Sequence, residues 1–345
     1  MFGDLLQRVM RRQDLTTAEA SEAMDAIIDG QAVPAQVAGL LVGLAMKGER
    51  PDEIVGFARS MRARAVKIVV PSSGTVDMCG TGGDGAGTFN ISSIASVVVA
   101  ACGLAVAKHG NRSVSSRCGS ADVFEALGVN VAAPPAVVET CLTQTGLAFL
   151  FAPVFHPSMR NVAPVRKELA VRTAFNLLGP LTNPTAPTRQ IVGVPRPELT
   201  ELLARSLALL GAERAWVVHG ADGLDEISTT GYTKVSECRS GTVNTFYVHP
   251  ADFGVPKAPM AALVGGDAGV NARIARDVLG GVRGPARDIV VLNAGAMLLL
   301  AGHAGTVREG IAQAGQALDS GAAGRKLEQL AACSQAIPGH SAGAR

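Results

Sequence analysis

The chain has 345 residues, 31 Lys+Arg against 29 Asp+Glu and a formal net charge of +2, which allows one large or two unequal domains and excludes a broad basic field for nucleic acid or anionic lipid. Aromatic residues make up only 4%, with Trp216 the single tryptophan, so a base-stacking surface has little to build on. At 48% apolar and 17% charged the chain is not disordered, and its 40 glycines, lacking a collagen period, belong in loops where backbone approaches something closely.

The first seventy residues read as helices. Phe2, Leu5, Leu6 and Val9 share one helical face, and AEASEAMDAIIDG forms a second helix ending at Gly30. Pro34 opens a third that stops at Gly48, and Pro51 a fourth with Asp52 and Glu53 in its first turn, where the helix dipole favours acids. From Ile68 the pattern changes to short β-branched runs (TVDMC, LAVAK, LAFLF, RQIVGV, AWVVHG) separated by helical stretches. That alternation predicts right-handed crossovers and a mostly parallel sheet flanked by helices. Between Ser158 and Pro184 the chain turns helical again (MRNVAPVRKEL, then TAFNLLG) and is expected to return to the N-terminal module. TKVSEC and TVNTFYV flank Ser240-Gly241 as an antiparallel hairpin, and helices over about 286–301 and 306–318 close the domain. The N-terminus does not read as a signal peptide, and no apolar run is long enough to span a bilayer. Six scattered cysteines without a CxxC read as reduced interior thiols, so the expected setting is the cytoplasm.

Chemistry concentrates in four places. The first is CGTGGDGAGTFNISS, in which five glycines (Gly80, Gly82, Gly83, Gly85, Gly87) follow a strand and precede a helix. Glycines let amide N–H groups crowd an anion, and the helix N-terminus adds its partial positive charge; Asn90, Ser92 and Ser93 supply polar side chains there. The pattern is neither a Walker motif nor a clean GxGxxG, so it reads as a phosphate or pyrophosphate loop of another kind. The second is Lys108-His109-Gly110-Asn111-Arg112 at the end of the next strand, followed by Ser113, Ser115, Ser116 and Gly119-Ser120-Ala121-Asp122, which reads as the other half of one anion site. Cys118, without a partner base, reads as a structural thiol. The third is Asp225-Glu226 after AWVVHG, a pair of hard oxygens suited to Mg²⁺ shared with a phosphate ligand. The fourth is His156-Pro-Ser-Met-Arg160, Arg166 and NLLGPLTNP, where an arginine facing a cleft would bind a carboxylate; Arg160 and Arg166, on one helix, would face differently.

Together these residues resemble the anthranilate phosphoribosyltransferase family of tryptophan biosynthesis: GTGGD at 80–84, NISS at 90–93, KHGNR at 108–112, GSAD at 119–122, HPSMRNVAPVRKEL at 156–169, NLLGPLTNP at 176–184 and DGLDE at 222–226, in order along nearly the whole chain. GTGGD alone is shared with pyrimidine nucleoside phosphorylases, the nearest enzyme rival; a non-catalytic nucleic-acid-binding paralogue is the rival of another class, and this chain keeps the loop such a protein should lose. The resemblance implies a helical domain of residues 1–70 plus about 158–188, used for dimerisation and the anthranilate side. It implies an α/β domain of 71–157 plus 189–345 for phosphoribosyl pyrophosphate and Mg²⁺, and a homodimer with no nucleic-acid or membrane partner. It places phosphoribosyl pyrophosphate on Gly80, Gly82, Gly83, Asp84, Thr88 and Asn90, together with Ser92, Ser93, Lys108 and Ser120. Anthranilate falls to Gly80, His109, Asn111, His156, Arg166, Gly179 and Pro180, and two Mg²⁺ ions to Ser92 and to Asp225 with Glu226. Ser93 stands where the family more often has threonine, which keeps the hydroxyl. The implied reaction transfers phosphoribosyl to the anthranilate amine and releases pyrophosphate. It needs no general base, because the amine is neutral, and relies on electrostatic stabilisation by Lys108 and Mg²⁺.

Overall fold

The computed structural model describes residues 2–72, 74–113 and 117–336. Its β-branched runs form seven strands, β1 (Val76–Met78), β2 (Val106–Gly110), β3 (Leu147–Phe151), β4 (Arg189–Gly193), β5 (Arg214–Gly220), β6 (Thr233–Arg239) and β7 (Thr242–Val248). They make one sheet in the order β3-β2-β1-β4-β5-β6-β7. The first five positions are parallel, as helical crossovers require, and β6 and β7 add an antiparallel edge. Ser240 (φ 49°) and Gly241 (φ 83°) make the hairpin turn between β6 and β7, with the positive φ at both positions that a two-residue connection prefers.

Side-chain alternation along the central strands divides the apolar interior in two. Ile191, Trp216 and Val218 point to the face covered by the helices Ile91–Ala101 and Pro285–Leu300. Val192, Val194, Ala215 and Val217 point to the other face, where helix Leu199–Leu209 lies. That second core continues without a break into the N-terminal helices Phe2–Met10, Thr17–Ile28, Pro34–Lys47 and Pro51–Arg64. The helical bundle and this face of the sheet therefore share one apolar interior.

The bundle is pinned by polar contacts at its helix ends. Thr16 and Glu19 form a reciprocal cap at the start of Thr17–Ile28. Glu53, wholly buried, accepts from the amides of Leu15 (2.9 Å) and Arg50 (2.8 Å) and from Lys47 Nζ (3.0 Å). The stretch 157–181 also joins this core, through Val162, Val165, Phe175 and Leu178, and Asn161 Nδ2 donates to the Ile28 carbonyl (2.7 Å). It is not one continuous helix. A 3-10 turn, Pro157–Asn161, precedes helix Ala163–Leu169, because Pro164 cannot sit in a helix interior but suits its first turn. Two helices that the sequence reading did not single out, Ala268–Leu279 and Ala322–Ser334, complete the α/β part. Among the described residues no helix is long and apolar enough to cross a membrane.

Candidate active site

The strand order reverses beside β1, whose neighbours are β2 and β4. A crevice opens at such a switch point, beyond the carboxyl ends of the strands. Here the loop after β1, the end of β2, the loop after β5 and the wall formed by 152–182 enclose a cavity of about 620 Å³. All the residues assigned by resemblance line it: the glycine loop from Gly80 to Asp84 with Thr88, Asn90, Ser92 and Ser93; Lys108, His109, Asn111 and Ser120; His156, Arg166, Gly179 and Pro180; and Asp225 with Glu226. Ser115 and Ser116 lie outside the described residues.

The glycine loop is built by backbone that only glycine adopts freely. Gly82, Gly83, Gly85 and Gly87 all have φ between 65° and 82°. Gly80 has a different duty: a Cβ there would lie 2.4 Å from Asp225 Oδ2, so its absence lets the β5 loop close against the β1 loop. Asp225 Oδ2 accepts from the Gly82 amide (3.1 Å), and Glu226 Oε1 accepts from the Ser92 amide (3.0 Å) at the start of helix Ile91–Ala101. Burial first, and then a neighbouring carboxylate (Asp84 for Asp225, Asp225 for Glu226), push both acids well above the usual carboxylate range. Among the described residues no three His, Cys, Asp or Glu side chains form a ready metal cage. The donor set is instead two poorly compensated carboxylates beside the Ser92 hydroxyl. Hard oxygens in excess negative charge fit Mg²⁺, which keeps waters and shares phosphate oxygens.

Lys108, buried in β2, donates to the Met78 carbonyl and lies 3.4 Å from Ser92 Oγ. Arg112, expected to be its companion cation, is tied to Asp122 (2.9 Å) and Glu125 (2.8 Å). Asn90 is clamped rather than free: Oδ1 accepts from Asn271 Nδ2 (2.9 Å) and Nδ2 donates to the Cys118 carbonyl (3.2 Å). Ser120 Oγ donates to the Asn111 carbonyl (3.3 Å). Burial pushes the Cys79 thiol up to about 12 and Cys118 up to about 11, which leaves neither a nucleophile near neutral pH. No disulfide links any of the six cysteines.

The opposite wall has another chemistry. His109 Nδ1 must carry its proton, since it donates to the Gly179 carbonyl (2.9 Å), so its buried Nε2 is a bare lone pair. His156 lies against it, ring centroids 5.4 Å apart, and its Nε2 is likewise buried without a partner. Burial lowers the two imidazoles to about 3 and about 4, so both are neutral at pH 7. Arg166 sits over the Phe175 ring at 5.3 Å, and desolvation lowers its pKa. Among the described residues no carboxylate pairs with it. Arg160, on the preceding turn, lines the cavity as well, because the break at Pro164 cancels the opposed facing expected of one helix.

Sequence reasoning missed the supports beneath this wall. Asp77 on β1, fully buried and raised to about 6 by burial, accepts from Asn183 Nδ2 (2.8 Å) and the His109 amide (3.3 Å). Asn183 Nδ2 also donates to the Ala107 carbonyl (2.8 Å), and Gln190 Nε2 to the Pro180 carbonyl (3.0 Å). Arg172, also unremarked, donates from Nη2 to the Gly82 carbonyl (3.0 Å).

Comparison with known proteins covers nearly the whole chain. Residues 3–65 match a model described as "Glycosyl transferase family, helical bundle domain", and residues 72–324 one described as "Glycosyl transferase family, a/b domain". The anthranilate phosphoribosyltransferase of Moorella thermoacetica is 55% identical over 327 residues, covering 95% of this chain and 96% of its own length. That of Rhodopseudomonas palustris (strain ATCC BAA-98 / CGA009) is 48% identical over 335 residues, 97% and 99% of the two chains. The crystal structure of the Thermus thermophilus enzyme superposes with a TM-score of 0.92 at 46% identity, covering 96% of this chain and 100% of that one. A Saccharomyces cerevisiae structure in complex with PRPP and Mg gives a TM-score of 0.88 at 26% identity, covering 97% and 98%. With its switch-point cavity, its glycine loop and these relatives along nearly its whole length, the chain belongs to the anthranilate phosphoribosyltransferase family.

Proposed function

We propose that this cleft transfers the phosphoribosyl group of 5-phosphoribosyl 1-pyrophosphate to the amine of anthranilate, giving N-(5-phosphoribosyl)anthranilate and pyrophosphate. That is a pentosyl transfer, the second step of tryptophan biosynthesis from chorismate. One observation carries the reading: a single cavity joins a wall of amides, hydroxyls and paired carboxylates to a wall bearing an unpaired arginine and two bare imidazole nitrogens. The first wall suits a diphosphate, the second an aromatic acid bearing an amine.

We assign the donor to Gly80, Gly82, Gly83 and Asp84 with Thr88, Asn90, Ser92, Ser93, Lys108 and Ser120. Ser92 would hold one Mg²⁺ and Asp225 with Glu226 a second; the yeast complex with PRPP and Mg supports the ion. When bound, Mg²⁺ neutralises the charge that builds on the departing pyrophosphate. Lys108 and the loop amides stabilise the same charge from fixed positions as the anomeric C–O bond breaks and the C–N bond forms. Arg166 pairs with the anthranilate carboxylate, and His109 and His156 accept hydrogen bonds from the amine, beside Gly80, Asn111, Gly179 and Pro180. Neither imidazole is basic enough to keep the proton the nitrogen releases, which passes to the departing pyrophosphate or to water. The chain therefore acts by positioning and electrostatics, without a general base.

We further propose that residues 1–70 with about 158–188 form the helical domain, 71–157 with 189–345 the α/β domain, and that helical domains pair in a cytoplasmic homodimer. Met10, Val33 and Met46, all exposed on or beside the bundle helices, support that pairing surface. The test of function is the loss of anthranilate fluorescence on mixing with phosphoribosyl pyrophosphate. A loss that requires Mg²⁺ is expected. Phosphorolysis of a pyrimidine nucleoside without Mg²⁺, and no fluorescence change, would replace this reading with its rival.

A further inference from the structure

The cavity contains a cation that the assignments above leave without a task. Arg172 lies in the short turn between helices Ala163–Leu169 and Phe175–Leu178, on the wall opposite the glycine loop. Its side chain crosses the mouth of the cleft, and Nη2 donates to the Gly82 carbonyl at 3.0 Å. The approach is so close that a Cβ on Gly83 would lie 1.6 Å from Nη1, so a glycine at that position is what lets the guanidinium reach the loop.

A guanidinium offers five N–H donors in a planar fork matched to two oxygens of a carboxylate or phosphate. Among the described residues the Gly82 carbonyl is the acceptor that Arg172 meets, and no carboxylate pairs with it. Arg112, Arg214 and Arg287, by contrast, each hold an acid within 3 Å. The charge around Arg172 is also unbalanced. Arg172 is exposed to solvent at the mouth, yet partial desolvation disfavours its charge, Arg196 repels it, and Asp225 attracts it from across the loop without pairing. A neutral carbonyl is a weak partner for such a group; a polyanion seated on the glycine loop would be a strong one.

We infer that Arg172 clamps the diphosphate of the sugar donor from the helical side, exchanging the Gly82 carbonyl for diphosphate oxygens when the donor binds. The inference rests on the donor reading above and adds a residue and a movement to it. Arg166 and Arg172 then divide the two anions of the reaction, the acceptor's carboxylate going to the half-buried arginine and the donor's diphosphate to the one at the mouth.

The test uses the full chain with Mg²⁺ and the variants Arg172→Gln and Arg172→Lys. Affinity for inorganic pyrophosphate is measured by calorimetry, and KM is measured for each substrate. With Arg172→Gln, the pyrophosphate Kd and the donor KM should both rise about tenfold or more, while the anthranilate KM stays within about twofold. Arg172→Lys should recover part of the pyrophosphate affinity, since it restores charge without the fork. Unchanged pyrophosphate affinity in Arg172→Gln overturns the clamp, as does a lowered Tm with both KM values raised equally, the mark of a purely structural latch. Because the pyrophosphate titration involves neither anthranilate nor turnover, the two readings fail separately. Arg172-dependent binding in a chain that makes no product leaves the clamp standing and removes the acceptor assignment.

Discussion

Arg166 is the single side chain on which the proposed acceptor role turns. It is half-buried over the Phe175 ring, desolvation disfavours its charge, and no described carboxylate relieves it. A cation left in that state gains most from an anionic ligand. Arg166→Ala should therefore raise the anthranilate KM by about tenfold or more and leave the donor KM nearly unchanged. Steady-state kinetics with each substrate varied in turn decides it, and equal effects on both would refute the role. The residue types in the motifs, and the order of the motifs, were legible in the sequence because glycine, acid and hydroxyl clusters have few alternative uses. Arg172 was not, because a lone arginine between motifs looks like any surface charge until the chain is folded across the glycine loop. Asp77 and Gln190 escaped notice for a related reason, and Asn183, although inside NLLGPLTNP, carried no recognised task. Their importance comes from strand pairing that places them under the cavity, and nothing local marks it.

At the scale of elements, the alternation of strand and helix gave a readable outline, and the hairpin was marked by TKVSEC and TVNTFYV on either side of Ser240-Gly241. Helices Ala268–Leu279 and Ala322–Ser334 were harder to see. Their buried faces are built partly from alanine (Ala272 and Ala275 in one, Ala323 in the other), so the apolar stripe is faint. Glu53 was read only as an acid favoured by a helix dipole, yet it is the tie that joins three segments of the bundle. It accepts from the Leu15 and Arg50 amides and from Lys47, whose side chain is 4% exposed. Removing it leaves two amides without an acceptor and takes from Lys47 one of its two carboxylates, the other being Asp14 at 2.8 Å. Glu53→Ala should cost roughly 2–4 kcal/mol in urea unfolding, and Glu53→Gln distinctly less because the amide oxygen still accepts. A loss below about 1 kcal/mol would show that water replaces the carboxylate without strain.

For the whole molecule, the buried groups make opposing contributions to stability as pH changes. His109 and His156 titrate at about 3 and about 4 when folded, below the ordinary 6.5, so they add stability as pH rises through that interval and none above it. Asp225 and Glu226 are displaced upward. In the metal-free fold they keep protons to about 7 and about 8, which the unfolded chain has already released, so stability falls as pH climbs. Above about pH 6.5 only this second trend remains. With EDTA, Tm should be lower near pH 8.5 than near pH 6.5, and Mg²⁺ should raise Tm more at the higher pH. Glu226→Gln should flatten the metal-free slope. A metal-free Tm that is level or rising over this range contradicts the account.

The polar supports beneath Gly179 and Pro180 have a consequence for selectivity. Three separate side chains, Asn183, Gln190 and His109, fasten this stretch to the sheet, whereas Arg166 and Arg172 stand on the outer turns. With the acceptor ring placed as proposed, the surface under it is held by these hydrogen bonds, and the two arginines border it from the rim. Ring-substituted benzoates will consequently be sorted by outline, a bulky group being refused outright where it meets that surface and accommodated where it projects toward the mouth.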